Sequence, residues 1–305
     1  MSKINEKIGF LGSSRFSVIV LDELKKEGVI PSFIITTPDK PQGRKLEIKP
    51  NVVKVWGQEN NIKVFSPNKL DDTFEKELIH EIGENDIKST IFIVASYGKI
   101  IPEKFINISK FGMLNIHPSL LPKYRGASPL QSAILNDEKN TGISIMLIDK
   151  EMDHGPIIAQ SNIQIKEWPI YEEFEEYMAR EGAKLLAQTL KDYISGKSKP
   201  IEQKHEEATY TKKILKEDAL IDTNIIVSQS KSSRDSAYTA FLKIQAYHAS
   251  PKAYFILKHN DRDIRVKITK ANFDASREMP LQIERVIPEG SKEISWDEFK
   301  RGYLK

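Results

Sequence analysis

Asn115, His117 and Asp153 are the residues whose types and spacing suit chemistry. They are an amide, an imidazole and a carboxylate, set in the run NIHPSLLPKYRGASP and the later DKEMDHGPI. Asn115 and His117 lie two apart, so on a strand both side chains leave the same face. Pro118 holds His117 in extended backbone, because a residue before proline is kept out of helix. Asp153 follows a second apolar run, in a loop bracketed by Gly155 and Pro156. Three such groups, with no nucleophile among them, suit transfer of an acyl group from a carrier to an amine. An Asn amide or a His N–H can donate to the oxyanion of a tetrahedral carbon. Histidine can move the amine proton near neutral pH, and a carboxylate can fix the tautomer of the ring and stabilise its cation. A single strand histidine is more often a packed core group, and a single loop aspartate a turn former. The trio in glycine- and proline-rich surroundings tips the balance to function. The residues leave open whether His117 acts as a base or only as a donor.

Composition removes the competing chemistries. The 305 residues include no cysteine, which excludes disulfides, thiol catalysis and cysteine-based zinc sites. His154 beside Asp153 does not make a metal site, since adjacent loop positions rarely share an ion and no His-x-x-x-His is present. No metal is expected. The first turn reads GFLGSSR, neither G-x-G-x-x-G nor a P-loop, and Gly12-Ser13-Ser14 is read as the cap of the following helix. No apolar stretch approaches the roughly 18 residues of a membrane span, and no signal-peptide pattern opens the chain. A cytoplasmic protein without membrane contact is expected. Formal charge is only +3, yet between Lys231 and Lys270 nine Lys or Arg face three Asp. That excess suits phosphates as well as it suits a solvated surface.

The site needs elements to carry it. Ile8 to Leu11, Ser32 to Thr37, Val64-Phe65, Thr90 to Ala95, Leu114 to Ile116 and Ile143 to Ile148 read as strands. Helical spacing runs over Phe16 to Glu27, Val52 to Asn60 and Thr73 to Ile82, with one long amphipathic helix from Ile170 to Ser195. Such alternation indicates a mostly parallel sheet with crossover helices. Ligands bind beyond the carboxyl ends of its strands. Tyr97-Gly98, His117 and Asp153 all follow apolar runs, so all are expected at that edge. Residues 1–196 then form an α/β domain, 197–208 a polar linker, and 209–305 a second domain. There the runs turn β-type: Ala253 to Leu257, Ile264 to Ile268 and Leu281 to Val286, with a turn at Asn260. A small barrel-like β domain is expected, closed by a short capped helix over Ser295–Tyr303. Tyr247 and Phe255 are read as its core.

On these residues the chain resembles the methionyl-tRNA formyltransferases nearly end to end. SLLPKYRGASPLQSAI at 119–134, with Asn115-Ile-His117 before it and Asp153-His-Gly-Pro156 after it, is similar to the hallmark of folate-dependent formyltransferases. TTPDKPQGRKL at 36–46, ATYTKKILKEDALID at 208–222 and IERVIPEGSKEISWDEFKRGY at 283–303 narrow the resemblance to the tRNA-acting branch. Sugar-nucleotide and glycinamide-ribonucleotide formyltransferases are the nearest alternatives, and a nucleic-acid binder that has kept the fold without catalysis is a third. The resemblance implies a Rossmann-like formyltransferase domain followed by an OB-like barrel that helps hold tRNA. It implies 10-formyltetrahydrofolate as donor and methionyl-initiator tRNA as acceptor; a monomer is expected. Asn115, His117 and Asp153 match the family's catalytic trio. Ser119, Leu120, Leu121 and Pro122 match its folate-contact run, and Tyr97 and Gly98 its pterin-side loop. Arg44 and Lys45 match the basic end of its tRNA loop. Lys123 and Arg125 are candidates for the folate tail, tRNA phosphates or plain solvent. The chain departs from the family pattern at Gly12-Ser13-Ser14, at a basic loop about two residues short, at Thr223 and at His248-Ala-Ser-Pro251.

Overall fold

IGFLG, FII and IFIVA bury every residue, the pattern of strands covered on both faces by crossover helices. They form Ile8–Gly12, Phe33–Ile35 and Ile91–Ala95, joined by Lys63–Phe65 and Met113–His117 in one parallel array. The computed structural model describes residues 6–42, 47–227 and 233–304. Helices Arg15–Lys26, Val52–Glu59 and Asp72–Ile82 lie between these strands in sequence. Two further strands, Asn140–Leu147 and Ile157–Gln164, extend the sheet beyond Met113–His117, and the first of them runs antiparallel to it. The sheet is therefore mostly parallel, as the alternation predicts. Phe33, Phe65, Phe74, Phe92 and Phe105 meet in one apolar cluster on it, at ring separations of 5.9 to 6.1 Å. Each such pair adds about 0.5–1.5 kcal/mol beyond area burial.

The chain divides into two compact units. One runs to Gly126 and takes in Thr141–Gln164 and Glu175–Tyr210; the other holds Ala127–Asn140, Ile165–Phe174 and the residues from Thr211 onward. The two internal segments join the C-terminal residues through packing. Helix Pro129–Leu135 lies on helix Arg234–Ala246, and the Trp168 carbonyl accepts from Gln245 Nε2 at 2.9 Å.

The C-terminal unit carries an antiparallel sheet of Tyr254–His259, Arg262–Phe273, Leu281–Pro288 and Ile294–Ser295, consistent with the small barrel-like domain expected. Asn260 and Asp261 both adopt left-handed backbone between the first two strands, the geometry of a two-residue hairpin turn. Phe255 and Tyr247 are buried as predicted. Ser295 caps Trp296–Tyr303 in a reciprocal capping box with Glu298. Helix Arg234–Ala246 was not legible as a helix: AYTAFLKIQA is apolar on most sides, which blurs the stripe that periodicity detects.

Asp137 joins three segments of this unit. Its Oδ1 accepts from Trp168 Nε1 at 2.6 Å and Tyr238 OH at 2.9 Å, with Lys139 Nζ at 3.3 Å. Burial raises its carboxyl pKa, but those hydrogen bonds and the lysine outweigh it and hold it below the ordinary value. A depressed carboxyl stabilises the fold above its unfolded pKa of about 3.9, and that stability is lost as pH falls through the folded value. The stability gap between wild type and Asp137→Asn is therefore expected to narrow below about pH 4. Acid unfolding followed by tryptophan fluorescence reads it, since Trp168 and Trp296 lie in this unit. A gap constant with pH would refute the assignment.

Candidate active site

Met113, Leu114 and Ile116 anchor strand Met113–His117 in the core and present Asn115 and His117 on one face. Asn115 is half-buried, and among the described residues no group hydrogen-bonds its amide. His117 is 4% exposed. Its Nε2 lies 3.0 Å from the Tyr124 carbonyl oxygen. A carbonyl only accepts, so this contact places the ring hydrogen on Nε2 and leaves the Nδ1 lone pair free. Nδ1 faces Asp153 Oδ1 at 3.6 Å, beyond hydrogen-bond length but close enough to pair once Nδ1 gains a proton. Asp153 Oδ2 accepts from the Gly126 N–H at 2.7 Å.

Asp153 reaches this point by a route the strand pattern does not predict. Its preceding strand runs antiparallel, with Leu147 level with Leu114 and Ser144 level with His117. The loop therefore leaves from the far end of the strand and has to return toward His117. Polar ties hold it there. Gln203 Nε2 donates to the carbonyls of Asp153 at 2.9 Å and Gly155 at 2.7 Å. A Cβ on Gly155 would lie 2.1 Å from the Leu147 carbonyl oxygen, so only glycine fits. Arg125 departs from its expected place at a folate tail, tRNA phosphate or solvent. It is 1% exposed and donates to Gln203 Oε1, the Tyr210 hydroxyl and His205 Nδ1. Lys123, two residues earlier, remains exposed.

The Ser119–Pro122 run directs its polar groups inward. The Ser119 hydroxyl donates to the Lys123 carbonyl at 2.6 Å, and Ser144 Oγ donates to the Ser119 carbonyl at 2.7 Å. Leu121 donates its N–H to Ser144 Oγ and accepts from Gln160 Nε2. Leu120 and Pro122 remain partly exposed. Tyr97 is buried among Phe105, Met113 and Leu11. Burial pushes its phenol up to about 12, and among the described residues its hydroxyl has no hydrogen-bond partner. Ser96 and Gly98 on either side take left-handed backbone, and Ser13 Oγ donates to the Tyr97 carbonyl at 2.7 Å. The next residue, Ser14, caps helix Arg15–Lys26 as predicted. His154 Nδ1 sits 2.6 Å from Asp149 Oδ2, and its ring stacks on His205 at 3.9 Å. Arg44 and Lys45 lie outside the described residues; the flanking strands Lys40–Gln42 and Glu47–Lys49 pair antiparallel.

Comparison with known proteins bears on this geometry. The family described as Formyl transferase matches residues 6–190. A methionyl-tRNA formyltransferase of Hydrogenobaculum sp. is 36% identical over 314 residues, covering 98% of this chain and 97% of its own. The chain belongs to the methionyl-tRNA formyltransferase family. Another member, from Thermotoga neapolitana, is 33% identical and covers 93% of this chain and 85% of its own. Among solved structures, the N-formyltransferase from Helicobacter canadensis in complex with folinic acid and dTDP-3-aminofucose superposes with a TM-score of 0.59. It covers 88% of each chain at 19% identity, a likeness of fold.

This member of the methionyl-tRNA formyltransferase family has a second feature, confined to its C-terminal unit. A cleft of about 530 Å3 is lined by Lys213, Lys216, Arg265 and Lys267 together with Ser128 and Tyr254. Ser128 Oγ ties helix Pro129–Leu135 to the Lys212 carbonyl. The Arg265 guanidinium lies 4.4 Å from the centre of the Tyr254 ring. Among the described residues, Lys213, Lys216 and Lys267 have no carboxylate partner. The basic excess over 231–270 is visible in sequence, but that Lys213 and Lys216 join Arg265 and Lys267 is not, because about fifty residues, helix Arg234–Ala246 among them, lie between the two pairs.

Proposed function

We propose that this chain transfers the formyl group of 10-formyltetrahydrofolate to the α-amine of methionine esterified to initiator tRNA, with Asn115, His117 and Asp153 as its reacting site. The observation that carries the reading is the unpartnered Asn115 amide on the same strand face as a histidine whose free nitrogen faces a carboxylate. Asn115 Nδ2 donates to the formyl oxygen as the amine approaches. An α-amine titrates near 7.7–8.0 and the adjacent ester lowers that, so the nucleophile is already partly neutral. His117 Nδ1 then receives the amine proton and hands it to the departing folate nitrogen, as the new C–N bond replaces the old one. Asp153 stabilises the cation formed in between, and Tyr124 keeps Nε2 protonated throughout. The donor set suits a flat folate: Leu120 and Pro122 offer apolar wall, while Ser96–Gly98 offers turned backbone at the next strand end.

The basic cleft and Arg44-Lys45 are the seats for tRNA phosphates, and one copy of the chain suffices. A cysteine-free chain whose substrate is tRNA belongs in the cytoplasm. No helix among the described residues is long and apolar enough to cross a membrane. Incubation with the formyl donor and methionyl-tRNA, beside nucleotide-linked amino sugars, tests the reading. Formylation of the sugar and not the charged tRNA would overturn it.

Phosphate contacts make a separate expectation. Lys213→Ala and Lys267→Ala are each expected to weaken tRNA binding and to reduce the salt slope of log Kd by about one, leaving kcat at saturating tRNA unchanged. Arg44→Ala is expected to do the same. An unchanged slope would remove the residue from the phosphate contacts.

A further inference from the structure

We propose that Gln203 is a positioning residue for formyl transfer: it holds Asp153 opposite His117 through two backbone hydrogen bonds, with buried Arg125 as its anchor. The proposal rests on Asn115, His117 and Asp153 being the reacting site. Gln203 lies in a polar, charged stretch, yet it is 5% exposed while Glu202 and Lys204 on either side face solvent. Its orientation is fixed by its neighbours. Arginine only donates, so the atom at 2.7 Å from Arg125 Nη2 and 3.2 Å from Nε is the amide oxygen. Carbonyls only accept, so the atom bonded to Asp153 and Gly155 is the amide nitrogen. Both of its hydrogens are used.

Three consecutive residues complete the frame. The Tyr124 carbonyl holds His117 Nε2, the Arg125 side chain holds Gln203, and the Gly126 N–H holds the Asp153 carboxylate. Asp153 takes left-handed backbone at φ 51°, a conformation that persists in a non-glycine residue only when its surroundings over-determine it. Gln203 supplies that determination at the Asp153 and Gly155 carbonyls; Gly126 supplies it at the side chain. Glutamate at 203 would keep the oxygen that Arg125 needs but would set a second oxygen against two carbonyls. Gln203→Glu therefore separates loop positioning from the anchoring of Arg125.

Steady-state kinetics of Gln203→Glu with 10-formyltetrahydrofolate and methionyl-tRNA is the test, repeated in an Asp153→Asn background. A displacement of about 1 Å in a reacting group costs on the order of 10²-fold, so kcat is expected to fall by about that factor with both KM values kept. In the Asp153→Asn background the same change is expected to cost nothing further. Hydrogen exchange should quicken at 152–155 in Gln203→Glu and stay unchanged along 113–117. An unchanged kcat, a loss carried by KM, or an equal loss in both backgrounds would overturn the proposal. Should Asp153→Asn be too slow to assay, unchanged exchange at 152–155 overturns it alone. A wild type that fails to formylate methionyl-tRNA counts against the proposed reaction, while the exchange measurement still decides whether Gln203 holds the loop.

Discussion

Asn115→Ala is expected to lower kcat for formylation of methionyl-tRNA by about 10²–10³, the usual cost of one oxyanion donor, while the fold stays intact. The physical case begins with what the amide does not do. No described residue hydrogen-bonds it, so its removal strands no buried partner. Its neighbours Leu114 and Ile116 carry the packing of the strand. On the proposed mechanism the lost interaction is one made in the transition state, so kcat and kcat/KM should fall together with KM for donor and tRNA nearly constant. Asn115→Asp is the informative companion. It keeps the shape, removes both donors and sets an anion where negative charge develops, so it should be at least as slow as alanine. Near-normal turnover in either variant would take Asn115 out of the reaction. A fall confined to KM would recast it as a binding group.

The parts of this site differ in how far they were legible. Asn115 and His117 could be paired from spacing alone, because a two-residue period fixes their common face once the strand is granted. The strand was granted because Leu114 and Ile116 flank Asn115 with buried apolar side chains and Pro118 keeps His117 extended. Strand Ile157–Gln164 escaped notice because IIAQSNIQ is partly exposed and mixes polar with apolar positions. Asp153 stands out by residue type and by resemblance, but its position does not follow from the apolar run before it. Its strand is antiparallel, so a run of apolar residues before it does not place it at the carboxyl edge.

The buried role of Arg125, and Gln203 altogether, could not be found by such reasoning. Charged and polar residues in loop-like sequence read as solvated, and no periodicity marks a lone glutamine in IEQKHEE. The signal that exposes them is a pairing of donors and acceptors across 78 residues, visible only once the chain is folded. The C-terminal cleft shows the same limit. Lys213 and Lys216 are distant in sequence from Arg265 and Lys267, and only packing brings their charges to one surface.

Arg125→Met is expected to destabilise the unit that carries Asn115, His117 and Asp153 by about 1.5–3 kcal/mol, the cost of losing hydrogen bonds to a buried charged group. Methionine keeps much of the volume, so the loss isolates the polar part. Of the three acceptors left behind, Tyr210 and His205 are exposed and regain water. Gln203 Oε1 is buried and does not, so the penalty concentrates there. Such a loss is a large fraction of the roughly 5–15 kcal/mol that holds a domain folded. Denaturant titration should show an earlier midpoint for this unit, while the C-terminal transition, followed through Trp168 and Trp296, keeps its place. Arg125→Lys should fall between the two, because an ammonium is a point charge and lacks the planar fork that reaches Gln203 twice. Unchanged midpoints for both variants would mean that the guanidinium is replaceable and that the loop around Asp153 is held by the Gly126 and Gly155 backbone without it.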